Sequence, residues 1–283
     1  MVNMIFELEA PNYLVGDLNN DGEVNLRDAV SDGSPFEDNF DGSSIDETKW
    51  NFELWDAGSF NQELQEYTSS SDNAFIQDGS LIIRALRENS LVDSSSQDSN
   101  PYGYTSARLT TQMNVDFKPI QCGSCNGGEI IVEVRAKLPS GVGTWPAIWM
   151  LPTDWVYGGW PYSGEIDIME HVGFDPNVIH GTAHTEVYNW WNGSPPPEGT
   201  IYINGATSSF HDYSLEWNED YLKWYVDDQH YFTYANDQAG NYATWPFDQR
   251  FHLLLNIAIG GTWGGQQGID DSIFPVRLEV DYV

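Results

Sequence analysis

Acidic and apolar residues alternate in GEIDIMEH, residues 164–171. Side chains of a β-strand alternate between its two faces, so Glu165 and Asp167 share one face. The isoleucine that follows each of them then points to the opposite, apolar face. Strict alternation would place Glu170 on that apolar face, where a charge is costly. One extra residue, a β-bulge around Ile168–Met169, would return it to the acidic face. We therefore predict a bulged strand that presents three carboxyl groups to one cleft.

Three carboxyl groups this close together suit acid–base chemistry. Like charges raise at least one pKa, which keeps a carboxylic acid protonated near neutral pH. A pair of such groups is what glycoside hydrolysis requires. The alternative is a half-buried strand with a solvated acidic face, in a chain with 43 acidic and 11 basic residues. This strand alone leaves both interpretations open.

Segments outside the strand decide between them. They are RAKLP (135–139), GTWPAIWMLP (143–152), FHLLLNIAIGG (251–261) and VDYV (280–283). Near the start of the same region come Asn61, ELQ (63–65) and YT (67–68). Together with the Glu-x-Asp-x-x-Glu pattern, these segments resemble the laminarinase branch of glycoside hydrolase family 16. The resemblance covers roughly residues 35–283.

The resemblance implies both a fold and a reaction. The fold is an all-β jelly roll, a sandwich of two curved antiparallel sheets with a concave substrate cleft. The reaction is endo-acting hydrolysis of laminarin-like β-1,3-glucan with retention of configuration, and it needs no catalytic cofactor. By resemblance Glu165 is the nucleophile and Glu170 the acid/base. Asp167 would hydrogen-bond the nucleophile.

The resemblance also implies residues that bind the sugar. Trp145 and Trp149 would stack on the apolar faces of sugar rings, although tryptophan also packs well in a core. The residues expected to bind sugar hydroxyls are Asn61, Glu63 and Arg108. We expect His184 to line the cleft beside the catalytic strand, with a structural role as the alternative. Trp190 and Trp191 would add a further aromatic platform, but no motif supports them.

Most of the chain has the pattern of short strands and turns. Segments predicted as strands are residues 80–86, 130–137, 178–186, 210–217 and 221–227. Residues 193–199, with three consecutive prolines, are predicted to form a loop. Many short strands at this spacing favour a β-sandwich. No segment has the pattern of a long amphipathic helix.

The N-terminal segment carries a second motif, at residues 16–30. Oxygen-bearing side chains fall at positions one, three, five and twelve of an EF-hand-like loop, with a glycine at position six. The expected calcium ligands are Asp17, Asn19, Asp21, the backbone carbonyl of Glu23, and Asp28. This loop resembles one repeat of a dockerin, a module that binds a cohesin-type scaffold, but dockerins have two repeats. We therefore predict a dockerin-like fragment and linker at residues 1–34 and the catalytic domain at residues 35–283. A flexible acidic tail is the alternative.

The family resemblance also implies a structural calcium ion on the convex side. Its ligands would include the backbone carbonyl of Gly79 and the side chain of Asp281. A residue that is acidic in the family corresponds to Asn39 here, so we expect a weaker site. Calcium would tie the first and last strands together without entering the reaction.

Composition excludes several classes of partner. The net charge of -32 argues against nucleic acid and anionic membrane surfaces, whereas a neutral glucan is indifferent to it. No apolar run is long enough to span a membrane.

The N-terminus does not resemble a secretion signal, but the substrate implies an extracellular protein, so we expect the signal to lie outside this chain. We also expect a monomer. Cys122 and Cys125 fit a loop with a small disulfide or two free thiols.

Other activities remain open at this stage. They are mixed-linkage β-1,3-1,4-glucan hydrolysis, agarose hydrolysis, glycosyl transfer, and non-catalytic β-glucan binding. The bulged signature argues against strict mixed-linkage enzymes, and the three acids argue against a purely binding protein.

Overall fold

The computed structural model describes residues 29–31, 34–88, 100–119 and 128–283. Within these ranges the chain forms β-strands joined by turns, with short 3₁₀ helices at Trp190–Asn192 and Asp271–Ile273. In chain order the strands are β1 (Ala29–Ser31), β2 (Ser34–Phe36), β3 (Asn51–Phe52), β4 (Gln65–Tyr67), β5 (Ala74–Gln77), β6 (Ser80–Arg87), β7 (Tyr104–Ser106), β8 (Arg108–Thr110), β9 (Ile130–Lys137), β10 (Thr144–Pro152), β11 (Glu165–Glu170), β12 (Val178–His184), β13 (Glu198–Tyr202), β14 (His211–Trp217), β15 (Tyr221–Val226), β16 (Gln229–Ala235), β17 (Phe251–Ile259) and β18 (Val276–Tyr282).

Two large sheets account for most of these strands. The seven-stranded sheet has the order β13-β12-β11-β10-β17-β8-β3. The other has the order β16-β15-β14-β9-β18-β6-β7-β4, with β5 beside β6. Nearly all pairs are antiparallel, and β4 with β7 is a parallel exception. The two-sheet, almost entirely β architecture confirms the predicted jelly-roll class. The acidic strand β11 lies in the interior of the seven-stranded sheet.

A large apolar core supports that sheet. Its biggest fully buried side chains include Trp217, Trp224, Tyr213 and Phe251. Strand β17, two places from β11, is buried along its whole length. Burying one large apolar side chain stabilises a fold by roughly 1.5–3 kcal/mol. The acidic strand therefore rests on a firmly packed base.

The predicted strands agree with the structure to within about two residues, and the loop predicted at residues 193–199 ends two residues earlier than expected. Glu198 and Gly199 are not in a loop, because they begin β13. The carbonyl of Pro197 already accepts a hydrogen bond from the Ala183 N–H at 3.1 Å, so the ladder starts where the prolines end. A Cβ on Gly199 would lie 2.3 Å from the Cβ of Phe232. The glycine therefore permits close packing and does not mark a loop.

Backbone hydrogen bonds join the beginning and the end of the predicted catalytic domain. The Asp38 N–H donates to the Val283 carbonyl at 2.9 Å, and the Val283 N–H donates back at 3.0 Å. Strands β1 and β2 pair with each other across the predicted domain boundary near residue 35. That boundary stays a prediction.

Several predicted features lie outside the described residues. They are the calcium-loop residues Asp17, Asn19, Asp21, Glu23 and Asp28, and the cysteines Cys122 and Cys125. In the part of the chain that is described, no helix has the length and apolar character needed to cross a membrane.

Candidate active site

Strand β11 contains the predicted bulge. Across the ladder with β12, Asp167 pairs with Thr182. Glu170 pairs with His180, which is two positions away on β12 but three positions away on β11. The strand phase therefore shifts at Ile168–Met169, and the prediction of a bulge at this place is confirmed.

The bulge separates an apolar face from an acidic one. Ile166 and both residues of Ile168–Met169 are buried in the core. On the acidic side, Asp167 is 2% exposed and the side chain of Glu165 is 17% exposed. The Asp167 carbonyl accepts a hydrogen bond from Trp224 Nε1 at 2.8 Å, which anchors the distorted backbone to the core. The carboxyl groups are thus held on a rigid support.

His184 lies against two of the three carboxyl groups. Its Nε2 is 3.1 Å from Asp167 Oδ2 and 3.8 Å from Glu165 Oε1. It is the ladder partner of Glu165 on β12, and its side chain is 8% exposed. The structure therefore places His184 beside the catalytic strand, where the sequence analysis expected it.

The pKa values of all three carboxyl groups are raised. Burial, followed by the Asp167 charge, raises the pKa of Glu165 to about 8. Burial raises the pKa of Asp167 to about 7, although its hydrogen bond with Glu165 acts in the opposite direction. Burial and the Asp167 charge also raise the pKa of Glu170 well above its usual range. Near neutral pH this cluster retains protons, as a proton-donating carboxylic acid requires.

The same cluster has donor atoms that a metal ion could use. One ligand atom each from Glu165, Asp167 and His184 lie within 4.8 Å of one another. Carboxylate oxygen and imidazole nitrogen are common ligands of divalent metals. Proton sharing and metal binding predict opposite effects of a chelator on activity.

Trp145 reaches the other end of the acidic strand. Its indole Nε1 donates to Glu170 Oε1 at 2.8 Å. This donation stabilises the charged carboxylate, so it lowers the pKa of Glu170 against the larger effect of burial. The Trp145 ring also packs edge-on against Trp263, with ring centres 5.5 Å apart. Trp145 is thus half-buried and holds the carboxyl group of Glu170, beyond the sugar-stacking role predicted for it.

Trp149 and Arg108 lie together on one side of β11. The guanidinium of Arg108 is 4.5 Å from the Trp149 ring centre, and its Nε is 2.8 Å from Glu53 Oε2. The indole Nε1 of Trp149 donates to Asn256 Oδ1 at 2.8 Å. Asn256 in turn donates to the Tyr67 hydroxyl at 2.9 Å. The predicted binding residues are therefore oriented by a fixed polar network.

Asn61 and Glu63 border the same region. Asn61 Nδ2 donates to Glu63 Oε1 at 3.1 Å, and Gln65 Nε2 donates to Glu63 Oε2 at 2.8 Å. Glu63 is 9% exposed, and burial raises its pKa. A Cβ on Gly261 would lie 3.1 Å from Glu63 Cγ and 3.2 Å from Trp145 Cζ3. The structure thus brings these residues close to Trp145, as a common cleft requires.

Some residues of the site were not selected from the sequence. They include Asn256 and Glu53 on the Arg108 side, and Trp160 with the hydrogen-bonded pair of His180 and Glu198 on the other side. The Trp160 ring centre is 5.8 Å from that of His184. Asn256, Glu53 and Glu198 are distant in sequence from the residues they contact, so no local spacing could have identified them. Trp160 precedes Glu165 by only five residues but belongs to none of the motifs above.

The residues expected at the structural calcium site have other partners in the structure. Gly79 occupies the turn between β5 and β6 with φ of 77°. The carboxylate Oδ2 of Asp281 lies 3.3 Å from Arg135 Nε. Asn39 Nδ2 donates a hydrogen bond to Glu37 Oε1 at 2.6 Å. Its amide oxygen is therefore the atom that could ligate calcium. Carboxylate, amide and backbone oxygens are the donors calcium prefers, but Arg135 competes for the carboxylate.

Comparison with known proteins gives consistent matches. The family model described as "Glycosyl hydrolases family 16" matches residues 128–283. The "Beta-glucanase" of Rhodothermus marinus is 46% identical over 257 residues, which cover 87% of this chain and 82% of that protein. The "Glucan endo-1,3-beta-glucosidase" of Cryptopygus antarcticus is 37% identical over 264 residues, which cover 88% of this chain and 89% of that protein. The X-ray structure of the laminarinase from Rhodothermus marinus has a TM-score of 0.78 at 44% identity and covers 90% of this chain and 95% of its own.

Proposed function

The chain belongs to the glycosyl hydrolases of family 16 and is a glycoside hydrolase, and we propose that it cleaves internal β-1,3 linkages of laminarin-like glucans. The observation that carries the proposal is the buried cluster of Glu165, Asp167 and Glu170 on the bulged strand. Aromatic and hydrogen-bonding side chains border this cluster, as a neutral sugar chain requires. The names of the relatives support the same substrate class.

The proposed mechanism has two displacements. Glu165 attacks the anomeric carbon and forms a covalent glycosyl–enzyme, while Glu170 gives its proton to the leaving oxygen. Water then attacks the same carbon from the other side, the bond from that carbon to Glu165 breaks, and Glu170 takes the proton from the water. The configuration is retained because it is inverted twice. Two carboxyl groups and water supply all the chemistry, so no catalytic cofactor takes part.

The neighbours of these two residues adjust their protonation. Asp167 shares a hydrogen bond with Glu165. It also lies closer to His184 than Glu165 does, at 3.1 Å against 3.8 Å from Nε2. A proton held on Asp167 leaves Glu165 free to act as a carboxylate. Trp145 holds Glu170 in one rotamer through the indole N–H. Asp167, His184 and Trp145 therefore act through the two residues that touch the substrate.

A substrate panel tests this proposal. Purified protein is incubated with laminarin, lichenan, agarose, carrageenan and xyloglucan, and the products are identified over time. We expect the fastest release of reducing sugar from laminarin, with oligosaccharides of several lengths appearing early. The Glu165→Gln variant, which keeps the shape of the cleft, serves as the inactive control.

The same panel decides among the alternatives. Faster hydrolysis of lichenan would assign a mixed-linkage glucanase, and faster hydrolysis of agarose would assign an agarase. Products longer than the supplied oligosaccharide would reveal glycosyl transfer. Binding of laminarin without hydrolysis would leave a β-glucan-binding protein. Sulfated carrageenan is the least favourable substrate, because the chain carries a net charge of -32.

Calcium has a structural role in this proposal. Asn39, Gly79 and Asp281 would hold one ion near the paired ends of the sandwich, and the loop at residues 16–30 would bind a second ion. Asp17→Ala should abolish calcium binding by that loop while laminarin hydrolysis stays within about twofold. A large loss of hydrolysis would place the loop inside the catalytic domain.

The remaining proposals concern context. The enzyme works outside the cell, because polymeric glucan cannot enter it, and it acts as a monomer. A cohesin-type scaffold is a partner only if the dockerin-like segment is functional. Sedimentation analysis of the purified protein, alone and with a cohesin, tests both points.

A further inference from the structure

The loop that follows β12 exposes two adjacent tryptophans. Trp190 is 60% exposed and Trp191 is 76% exposed, both on the 3₁₀ helix Trp190–Asn192. Large aromatic side chains of a soluble protein are usually covered, so an exposed group of them commonly marks a binding surface.

This loop is held in one conformation by two asparagines. Asn189 is 2% exposed, and its Oδ1 accepts hydrogen bonds from the backbone N–H groups of Trp191 and Asn192. Its Nδ2 donates to the carbonyls of Thr185 and Glu186. The side chain of Asn192 donates to the Glu186 carbonyl as well. These hydrogen bonds fix the loop backbone in the conformation that exposes Trp191.

A row of contacts connects Trp191 to the catalytic carboxyl groups. Its ring centre is 4.3 Å from that of Trp160, with the two planes at 72°. Trp160 packs against His184 at 5.8 Å, and His184 contacts Asp167 at 3.1 Å. His184 Nε2 also lies 3.8 Å from Glu165 Oε1. Trp191 thus continues the cleft outward from the nucleophile.

The two arms of the cleft differ in chemistry. On the β10 and β17 side, the buried Arg108 and the half-buried Trp149 form a polar wall. On the opposite side, Trp160 and Trp191 offer aromatic faces without a cationic partner within the described residues. An aromatic face without charge suits the C–H face of a glucosyl ring, whose hydroxyls remain in water.

We propose that Trp191, supported edge-on by Trp160, forms an outer subsite for a glucosyl ring of the same glucan chain that reacts at Glu165. This inference rests on the proposed function and extends it to chain length: the subsite favours longer chains over short ones. The occupant is the substrate and not a separate ligand, because the aromatic surface is continuous with the acidic cluster.

Binding to a catalytically inactive protein tests the subsite. In the Glu165→Gln background, the affinities for laminaritriose and laminarihexaose are measured by calorimetry. Adding Trp191→Ala should lower the ratio of hexaose to triose affinity about five- to tenfold, the effect of uncovering one face of a large aromatic ring. Trp191→Phe should keep most of the ratio. Tyr102→Ala, a control on an exposed aromatic residue next to β7 in the other sheet, should leave the ratio as it was.

The outcomes separate this inference from the proposed function. If Glu165→Gln binds neither oligosaccharide and the unmodified protein does not hydrolyse laminarin, the proposed function fails. If hydrolysis and binding are present but Trp191→Ala keeps the ratio, only the subsite is wrong. An equal loss for both lengths would also overturn it, because that pattern indicates a disturbed loop. Near-ultraviolet circular dichroism of each variant checks the loop directly.

Discussion

Trp145 Nε1 donates a hydrogen bond to Glu170 Oε1 across 2.8 Å. The two residues lie on neighbouring strands, and the bulge in β11 is what turns the carboxyl group of Glu170 toward the indole. The same hydrogen bond stabilises the charged form of Glu170, whereas burial stabilises the neutral form. The pKa of Glu170 therefore depends on the balance between its burial and this hydrogen bond.

Replacing Trp145 by Phe tests this relationship, since the ring remains and the N–H is lost. A hydrogen bond to a charged group contributes about 1.5–3 kcal/mol, so we expect kcat/KM to fall about tenfold or more. Because the lost bond lowered the pKa of Glu170, the alkaline limb of the pH profile should move to higher pH. An equal loss at every pH, without a shift, would mean that Trp145 serves only as a stacking surface.

The raised pKa of Glu165 makes stability depend on pH. The folded chain keeps a proton on the hydrogen-bonded pair of Glu165 and Asp167 up to about pH 8, whereas an unfolded glutamate releases its proton near pH 4.3. Between these values the folded state binds more protons, so stability falls as pH rises. Glu165→Gln removes this fall in stability, because glutamine does not titrate. We expect its melting temperature to exceed that of the unmodified protein by a few degrees more at pH 8 than at pH 5.

The control for that measurement is Glu219→Gln, a change at an exposed carboxylate outside the cleft. Its difference from the unmodified protein should be nearly the same at both pH values. If Glu165→Gln behaves like this control, the pair of Glu165 and Asp167 does not carry a buried proton.

Chelation separates proton sharing from metal binding at the acidic cluster. With EDTA in excess, well below the melting temperature, we expect the initial rate of laminarin hydrolysis to stay within about twofold. The melting temperature should fall if calcium stabilises the sandwich. Loss of activity that returns with one divalent metal would instead assign Glu165, Asp167 and His184 to a metal site.

Salt should stabilise the fold. At a net charge of -32, self-repulsion opposes the compact state. The screening length falls from about 10 Å at 0.1 M salt to about 3 Å at 1 M. The melting temperature, measured across this range with calcium held constant, should rise steadily. A flat or falling curve would show that the acidic groups are already balanced within the folded chain.

Local pattern was sufficient to predict the acidic strand. The alternation of isoleucine with acids predicts the two faces, and the position of Glu170 requires the extra residue that the ladder with β12 contains. Long-range partners could not be predicted this way. Trp149 and Asn256 are 107 residues apart, and only the pairing of β10 with β17 brings them together.

The end of the proline-containing loop could not be predicted from composition. The prolines before Glu198 indicated a loop, yet β13 starts directly after them. Its pairing with β12 brings Glu198 to His180. The charge of Glu198 also raises the pKa of Asp167. Side-chain patterns report local conformation, whereas the start of an edge strand depends on a neighbour that is distant in sequence.

The most direct test of the account is the anomer formed when azide rescues two variants on an aryl laminaribioside with a good leaving group. In Glu165→Gly, azide enters the vacated space and attacks in place of the nucleophile, which gives the α-glycosyl azide. In Glu170→Gly the glycosyl–enzyme still forms, and azide attacks from the opposite face, which gives the β-glycosyl azide. Proton NMR distinguishes the two products. We expect opposite anomers from the two variants, and the same anomer from both would contradict the roles assigned to Glu165 and Glu170.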